Sequence, residues 1–301
     1  MKLLLLGKDG QVGRALQPVL PRLGDLVALG RDEADFERPG ELPRLVAVHA
    51  PDVIVNAAAY TAVDKAESDA DRARLINTEA VAALAAAAQR SGAWLIHYST
   101  DYVYDGAKPE PYVETDEPRP LGVYGATKLK GDREIAASGC RHLIFRISWV
   151  YGVGGSNFPA SILRLARERS SLDVVADQVG APTSAGLVAT VTADAIARLQ
   201  SAGDDAAALS GTYHLAPRGA VSRHGFARLL VAEAEARGAR LALGADDVAP
   251  IGTADYPTPA ARPLNSQLST RKLQSAFGFE PPPWEEDARR WIAAALGEGG
   301  S

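Results

Sequence analysis

Leu3-Leu-Leu-Leu6 runs straight into Gly7-Lys-Asp-Gly10-Gln-Val-Gly13, and Val12, Leu16, Val19, Leu20 and Leu23 then share one helical face. An apolar run without polar alternation predicts a strand covered on both sides. Glycines between such a strand and a helix permit a tight turn and close approach of backbone to a pyrophosphate. The spacing is G-x-x-G-x-x-G, and strand, turn and helix come first in the chain. This predicts an α/β fold of the Rossmann kind, with a doubly wound parallel sheet. Gly7, Gly10, Gln11, Val12 and Gly13 are its candidate cofactor contacts.

The next segments extend that pattern. A second strand reads Leu26-Val-Ala-Leu29 and ends in Gly30-Arg31-Asp32-Glu33. Arg31 at that place suits a ribose 2′-phosphate, whereas Asp32 suits a hydroxyl. The reading favours NADPH, with NADH as the alternative. Asp35-Phe36 follows, where an adenine ring would rest. The third strand, Asp52-Val-Ile-Val-Asn56, leads into Ala57-Ala-Ala59-Tyr60-Thr61. Small residues at the carboxyl end of a parallel strand leave room for a ligand. A long helical region is expected over about 64–90, its Ala-rich part packed closely on the sheet.

Trp94-Leu-Ile-His-Tyr98 reads as a fourth buried strand, with Ser99-Thr100-Asp101 at its end. His97 is expected to be a core residue and not a catalyst. Tyr124 and Lys128 stand four residues apart where a helix opens, so they lie on one face. An unperturbed phenol has a pKa of about 10. A neighbouring ammonium favours the phenolate and eases proton donation to a developing alkoxide. Thr100, Tyr124 and Lys128 are the candidate catalytic residues: carbonyl polariser, proton donor, and a cation that lowers the Tyr124 pKa.

The chain has 301 residues, enough for one large domain or two modest ones, and a formal charge of −5. That charge gives no general attraction to nucleic acid or an anionic membrane. Cys140 is the single cysteine, which excludes an intramolecular disulfide and fits a reducing compartment. Its expected role is that of a small buried residue. The first apolar run is cut by Gly7-Lys8-Asp9, and no stretch reaches the ~18 apolar residues of a membrane span. A cytoplasmic location is expected.

Several long segments resemble the dTDP-4-dehydrorhamnose reductase family, in the extended branch of the short-chain dehydrogenase/reductase superfamily. They are the 7–13 turn, Asn56-Ala-Ala-Ala-Tyr-Thr-Ala-Val-Asp-Lys-Ala-Glu67, His97-Tyr-Ser-Thr-Asp-Tyr-Val103, Arg146-Ile-Ser-Trp-Val-Tyr-Gly152, Asp177-Gln-Val-Gly-Ala-Pro-Thr183 and Tyr256-Pro-Thr-Pro-Ala-Ala-Arg-Pro263. The resemblance implies reduction of the 4-keto group of dTDP-4-dehydro-6-deoxy-L-mannose to dTDP-L-rhamnose. It places Gly10, Gln11 and Val12 at the cofactor phosphates, and Asp35 and Phe36 at the adenine. Ala59, Tyr60 and Thr61 fall on the ribose and nicotinamide side, with Lys128 also on the nicotinamide ribose. Thr100, Asp101 and Trp149 would face the sugar. Two departures stand out. Members often carry an acid where this chain has Gly30. Some form dimers bridged by Mg²⁺ on glutamates, one from the first helix, where this chain has Arg14-Ala15. No such metal is expected, and the chain is expected as a monomer or homodimer.

The expected division is 1–150 as the dinucleotide-binding domain, with some later segments returning to it, and 151–301 as mainly the sugar-nucleotide part. In the latter, helices are expected over 157–170, 186–199, from an N-cap at Ser222 to about 236, and over 287–296, with strands at 173–176 and 213–215. Arg262 is a candidate partner for the substrate diphosphate. Two other functions compete. One is an NDP-sugar dehydratase or epimerase, though dehydratases of the branch typically carry Asp-Glu after the catalytic Thr, and here Asp101 precedes Tyr102. The other is a non-catalytic subunit resembling the regulatory subunit of methionine adenosyltransferase.

Overall fold

The computed structural model describes residues 1–297. Its centre is a six-stranded parallel sheet. β1 (Lys2–Leu6) pairs with β2 (Asp25–Leu29) on one side and β3 (Val53–Asn56) on the other. β4 (Trp94–Thr100), β5 (His142–Ile147) and a strand at Gly211–Leu215 continue outward from β3. The strand order reverses between β1 and β3, and in open α/β sheets the ligand crevice lies at that reversal.

β1 shows why both faces had to be apolar. Leu3 and Leu5 point into a core shared with Leu16, Val55, Ile96, Phe145 and Val188. Leu4 and Leu6 point the other way, against Phe36, Leu42, Ile54, Leu84 and Ile144. Helix α1 (Gln11–Leu16) covers the first face and α2 (Leu42–His49) the second. Cys140 is free and buried in the second core.

The helical region expected over about 64–90 is present, divided into several pieces. α3 (Val63–Ala66) and α4 (Ala70–Arg74) are short, Leu75–Glu79 is a π-helical turn, and only then comes α5 (Ala80–Ser91). The π turn has a structural task, as such turns often do near functional sites. It aims Asn77 inward, where its side chain bonds both backbone groups of Tyr60 at 2.9 and 3.0 Å. Thr78 Oγ1 donates to the Thr127 carbonyl at 2.9 Å. The turn thus ties the 57–61 loop to the next helix, α6 (Val123–Ala137). Gly131 permits the approach, since a Cβ there would lie 2.2 Å from the Asn77 carbonyl oxygen.

Beyond β5 the chain alternates between the sheet and a second layer. β6 (Val150–Tyr151), α7 (Phe158–Glu168), β7 (Leu172–Val175), β8 (Val179–Gly180) and β9 (Thr183–Ser184) lead to α8 (Ala185–Ala202). α8 packs on α1, and β10, the strand at Gly211–Leu215, then joins the sheet edge. β11 (Val221–Ser222) precedes α9 (Arg223–Ala236), whose N-cap is Ser222, accepting from the Gly225 amide at 3.0 Å. β12 (Val248–Ile251), β13 (Asn265–Ser266), α10 (Arg271–Phe277) and α11 (Trp284–Gly297) complete the chain. A third core forms among Tyr151, Ile162, Leu163, Phe226, Leu230, Trp284 and Trp291. In α7, Ile162 and Ala166 are buried as expected, with Leu163 beside them, while Leu165 is only half-buried. No helix among the described residues is long and apolar enough to cross a membrane.

Candidate active site

A cavity of about 600 Å³ opens at the carboxyl ends of the strands. Gly10, Gln11 and Val12 line one side; Ala59, Thr61, Thr100, Asp101, Tyr124, Lys128 and Trp149 line the rest. The turn residues and the three candidate catalytic residues, distant in sequence, therefore share one space.

The glycine turn fits a dinucleotide. Gly7 has φ +81°, and a Cβ on it would lie 2.6 Å from the Ala58 amide nitrogen. A Cβ on Gly13 would lie 2.0 Å from the Gly7 carbonyl oxygen. These two glycines let the turn close on itself. Gly10 differs: its nearest neighbour, the Gly7 carbonyl oxygen, would be 3.4 Å from a Cβ. There a side chain would instead fill the cradle at the start of α1. Gln11 also anchors the turn, its Oε1 accepting from the Gly152 amide and Asn157 Nδ2, both at 2.9 Å.

Other candidate cofactor contacts lie outside this cavity. Tyr60 is buried, with its hydroxyl donating to Asp69 at 3.1 Å. Phe36 is buried in the core beneath β2's end, and Asp35 accepts from the Glu37 amide at 2.9 Å. Arg31 is exposed and ion-paired with Glu37. At Gly30, the position that often carries an acid in the family, the backbone amide donates to Glu33 at 2.7 Å, and Lys8 pairs with the same carboxylate.

α6 places the phenol. Its first free amide, Val123, is capped by Glu67 at 2.9 Å. Gly125 lets the helix touch the end of β4, since a Cβ there would sit 2.1 Å from the Tyr102 carbonyl oxygen. Tyr124 is thereby set beside Thr100. Burial pushes its phenol well above the usual range, and the hydrogen bond with the Thr100 hydroxyl draws it back down. Lys128 follows one helical turn later and is buried. Its ammonium nitrogen is turned to the Tyr98 carbonyl oxygen at 2.6 Å and His97 Nε2 at 3.0 Å. Burial lowers Lys128 itself to about 8.

Asp101 is almost wholly buried, and Thr100 Oγ1 donates to its Oδ1 at 3.1 Å. Its Oδ2 has no hydrogen-bond partner among the described residues, and burial raises the carboxyl to about 6, opposed by the Ser266 and Thr100 hydroxyls and the Arg223 charge. A folded-state pKa above the unfolded value means the folded chain binds the extra proton between about 4 and 6. The cost of ionisation is then fully present above that window. Asp101→Asn should accordingly raise stability at pH 7 by about 1–3 kcal/mol, with the gain vanishing below pH 4. Denaturant unfolding at the two pH values checks this; equal stability of the two proteins at pH 7 contradicts it.

Trp149 holds an unusual backbone, with φ +48°. Its ring lies against Gly180, where a Cβ would approach within 2.7 Å, and under the Arg223 guanidinium at 3.7 Å. Arg223 also lies 5.3 Å over Phe158 and is the residue most clearly missed from sequence. It opens α9 after a polar cap, a position with no signal of its own. It links the catalytic cavity to a second one of about 1200 Å³, lined also by Tyr102, Gln178, Tyr256 and Arg262. Arg262 is paired there with Asp64 at 2.7 Å. Asn56 also lines the cavity, and its place at the end of an apolar strand gives no signal of that, whereas His97 is the core residue expected.

Residues 1–296 match the family described as the RmlD substrate binding domain. The chain belongs to this family. A dTDP-4-dehydrorhamnose reductase of Burkholderia thailandensis is 49% identical over 284 residues, covering 94% of this chain and 95% of the relative. The enzyme of that name from Escherichia coli K12 is 46% identical over 296 residues, covering 97% of each. Among solved structures, the Bacillus anthracis dTDP-4-dehydrorhamnose reductase in complex with NADP aligns with TM-score 0.87 and 31% identity, over 97% of this chain and 99% of that one. A UDP-glucose 4-epimerase from Thermotoga maritima aligns with TM-score 0.79 at 16% identity, a likeness of fold alone. The family and Rossmann-type fold expected from the sequence are both met, and the chain is an oxidoreductase of this family. Among the described residues no cluster of three His, Cys, Asp or Glu side chains is placed to hold a metal.

Proposed function

We propose that the protein reduces the 4-keto group of dTDP-4-dehydro-6-deoxy-L-mannose to give dTDP-L-rhamnose, using NADPH, with NADH as the alternative. The carrying observation is the single cavity that joins the glycine turn to Thr100, Tyr124 and Lys128. The family membership supports the same reading.

The bound dinucleotide supplies the hydride. Gly10, Gln11 and Val12 hold its phosphates, Ala59 and Thr61 its nicotinamide side, and Lys128 the adjoining ribose. Tyr124 gives its phenolic proton to the sugar oxygen as charge develops there. Thr100 turns its hydroxyl from Asp101 to the same oxygen, an oxyanion-type contact. Thr100 also opposes the burial that raises the phenol. Asp101 and Trp149 orient the sugar. Arg223 and Arg262 line the adjoining cavity, which suits the diphosphate and nucleoside. The division into a dinucleotide part and a sugar-nucleotide part follows this assignment, with β10 returning to the sheet.

Incubation of the protein with NADPH and the ketosugar, followed by chromatography and NMR of the sugar, should reveal dTDP-L-rhamnose. A 4-epimer or unchanged ketosugar contradicts the assignment. The coenzyme preference has its own test. Arg31→Ala should reduce the NADPH-over-NADH binding ratio by about tenfold or more, as one charged contact to the 2′-phosphate is lost. An unchanged ratio in fluorescence titrations removes Arg31 from that role.

A further inference from the structure

Charged side chains close over the end of β2, where Gly30 has none of its own. Lys8 Nζ donates to Glu33 Oε2 at 2.5 Å, and the Gly30 backbone amide donates to the same oxygen at 2.7 Å. Asp9 is equally near: a Cβ on Gly30 would stand 2.2 Å from its Oδ2 and 3.2 Å from Lys8 Cε. The Gly7 and Lys8 amides both donate to the Leu29 carbonyl, at 2.9 and 3.2 Å. The glycine turn is therefore laced to this strand end.

A glutamate three residues into a turn often bonds back to the amide that opens it. Glu33 does close such a turn, since the Glu33 and Ala34 amides donate to the Gly30 carbonyl at 3.3 and 2.9 Å. The Lys8 contact goes beyond that local device, because it comes from the loop after β1. One anionic oxygen is thus held by an ammonium and a backbone N–H. Those are the donors that take phosphate oxygens. In a dinucleotide fold the 2′ position of the adenosine ribose falls at the end of this strand. Arg31, the neighbouring cation, is already paired with Glu37, which also takes Arg72 at 2.7 Å.

We propose that Glu33 determines the coenzyme preference: its carboxylate occupies the donor set of a 2′-phosphate, and NADPH binds by displacing it from Lys8 and the Gly30 amide. The inference rests on the coenzyme site of the proposed function and not on the sugar. With NADH nothing is displaced, and the carboxylate accepts from the 2′-hydroxyl. Glu33 then supplies, from three residues along, the acid that Gly30 does not carry. With NADPH, Lys8 exchanges one anionic partner for another, and the released Glu33 side chain, already 48% exposed, turns to water. Their mutual hydrogen bond is the main cause that raises Lys8 and lowers Glu33 from their ordinary values, so both are charged at neutral pH. Asp9 and Asp32 also favour the charged lysine, and they oppose a further anion in both states.

Calorimetric titration with NADP⁺ and NAD⁺, which differ only in the 2′-phosphate, tests this without substrate or turnover. Glu33→Gln retains an acceptor for the Gly30 amide and removes the charge that holds Lys8. NADP⁺ should then bind about tenfold or more tightly, while NAD⁺ changes by no more than about threefold. Lys8→Met should shift the ratio the other way, weakening NADP⁺ about tenfold or more relative to NAD⁺. Both side chains reach solvent, so both variants should unfold at the temperature of the unaltered protein. NADP⁺ affinity that stays the same or falls in Glu33→Gln overturns the proposal, and so does a NADP⁺-to-NAD⁺ ratio that survives Lys8→Met. Failure of the unaltered protein to bind either coenzyme would overturn the dinucleotide site itself, and this role of Glu33 with it.

Discussion

Tyr124→Phe should lower kcat by about 10²–10⁴ while leaving NADPH affinity within a few-fold of the unaltered protein. The phenol is buried and hydrogen-bonded with the Thr100 hydroxyl. Removing the phenolic hydroxyl deletes the proton donor and leaves the ring to pack edge-on against Tyr102, whose ring centroid lies 5.6 Å away. Gly125, the Glu67 cap and the Asn77 contacts that position α6 do not involve the hydroxyl. The loss should therefore appear in kcat and in kcat/KM alike, as for an interaction made in the transition state. Single-turnover rates with saturating NADPH measure it directly. Near-normal turnover would remove Tyr124 as donor.

Arg146→Met should destabilise the fold by about 3–5 kcal/mol, because it leaves a buried carboxylate without its cation. Arg146 Nε lies 3.3 Å from Asp132 Oδ2, and both side chains are nearly inaccessible. Arg146 Nη1 also donates to the Tyr104 hydroxyl at 2.8 Å, and that hydroxyl meets His214 Nε2 at 2.9 Å. After the substitution Asp132 keeps the Ser99 hydroxyl at 2.8 Å as its hydrogen-bond donor. Burial already raises the Asp132 pKa, and Arg146 is the main group opposing that. A raised carboxyl pKa costs stability above the folded value and nothing below the unfolded one. The deficit should therefore be largest at neutral pH and narrow as pH falls toward 4. Adding Asp132→Asn should recover much of it. Urea unfolding of the three proteins measures the cycle, and a loss below about 1 kcal/mol for the single variant would contradict it.

Some of this architecture is legible from residue order because one interaction dominates at each place. Leu3 to Leu6 must be covered on both faces, and Gly7 and Gly13 have no room for a Cβ. Thr100, Tyr124 and Lys128 converge because a strand end and a helix start meet at one crevice. Other features have no local signature. The helix break at 67–69 and the π turn at 75–79 serve contacts with Tyr60 and α6, which the helical pattern of that segment conceals. Lys128 faces Tyr98 and His97 because of where β4 presents its acceptors, which helical spacing does not reveal. His97 is a core residue, as its apolar neighbours suggested, yet it is bonded to the lysine. The two-residue strands β8, β9, β11 and β13 exist only through pairing with distant partners, and Arg223 reaches the site only once they are in place.

The most direct measurement is loss of reduced-nicotinamide absorbance with dTDP-4-dehydro-6-deoxy-L-mannose generated in situ, NADPH and NADH being run in parallel. The proposed function predicts consumption that depends on the ketosugar, is matched by dTDP-L-rhamnose formed, and is faster with NADPH. Protein that binds NADPH but consumes neither coenzyme in the presence of this sugar would contradict it.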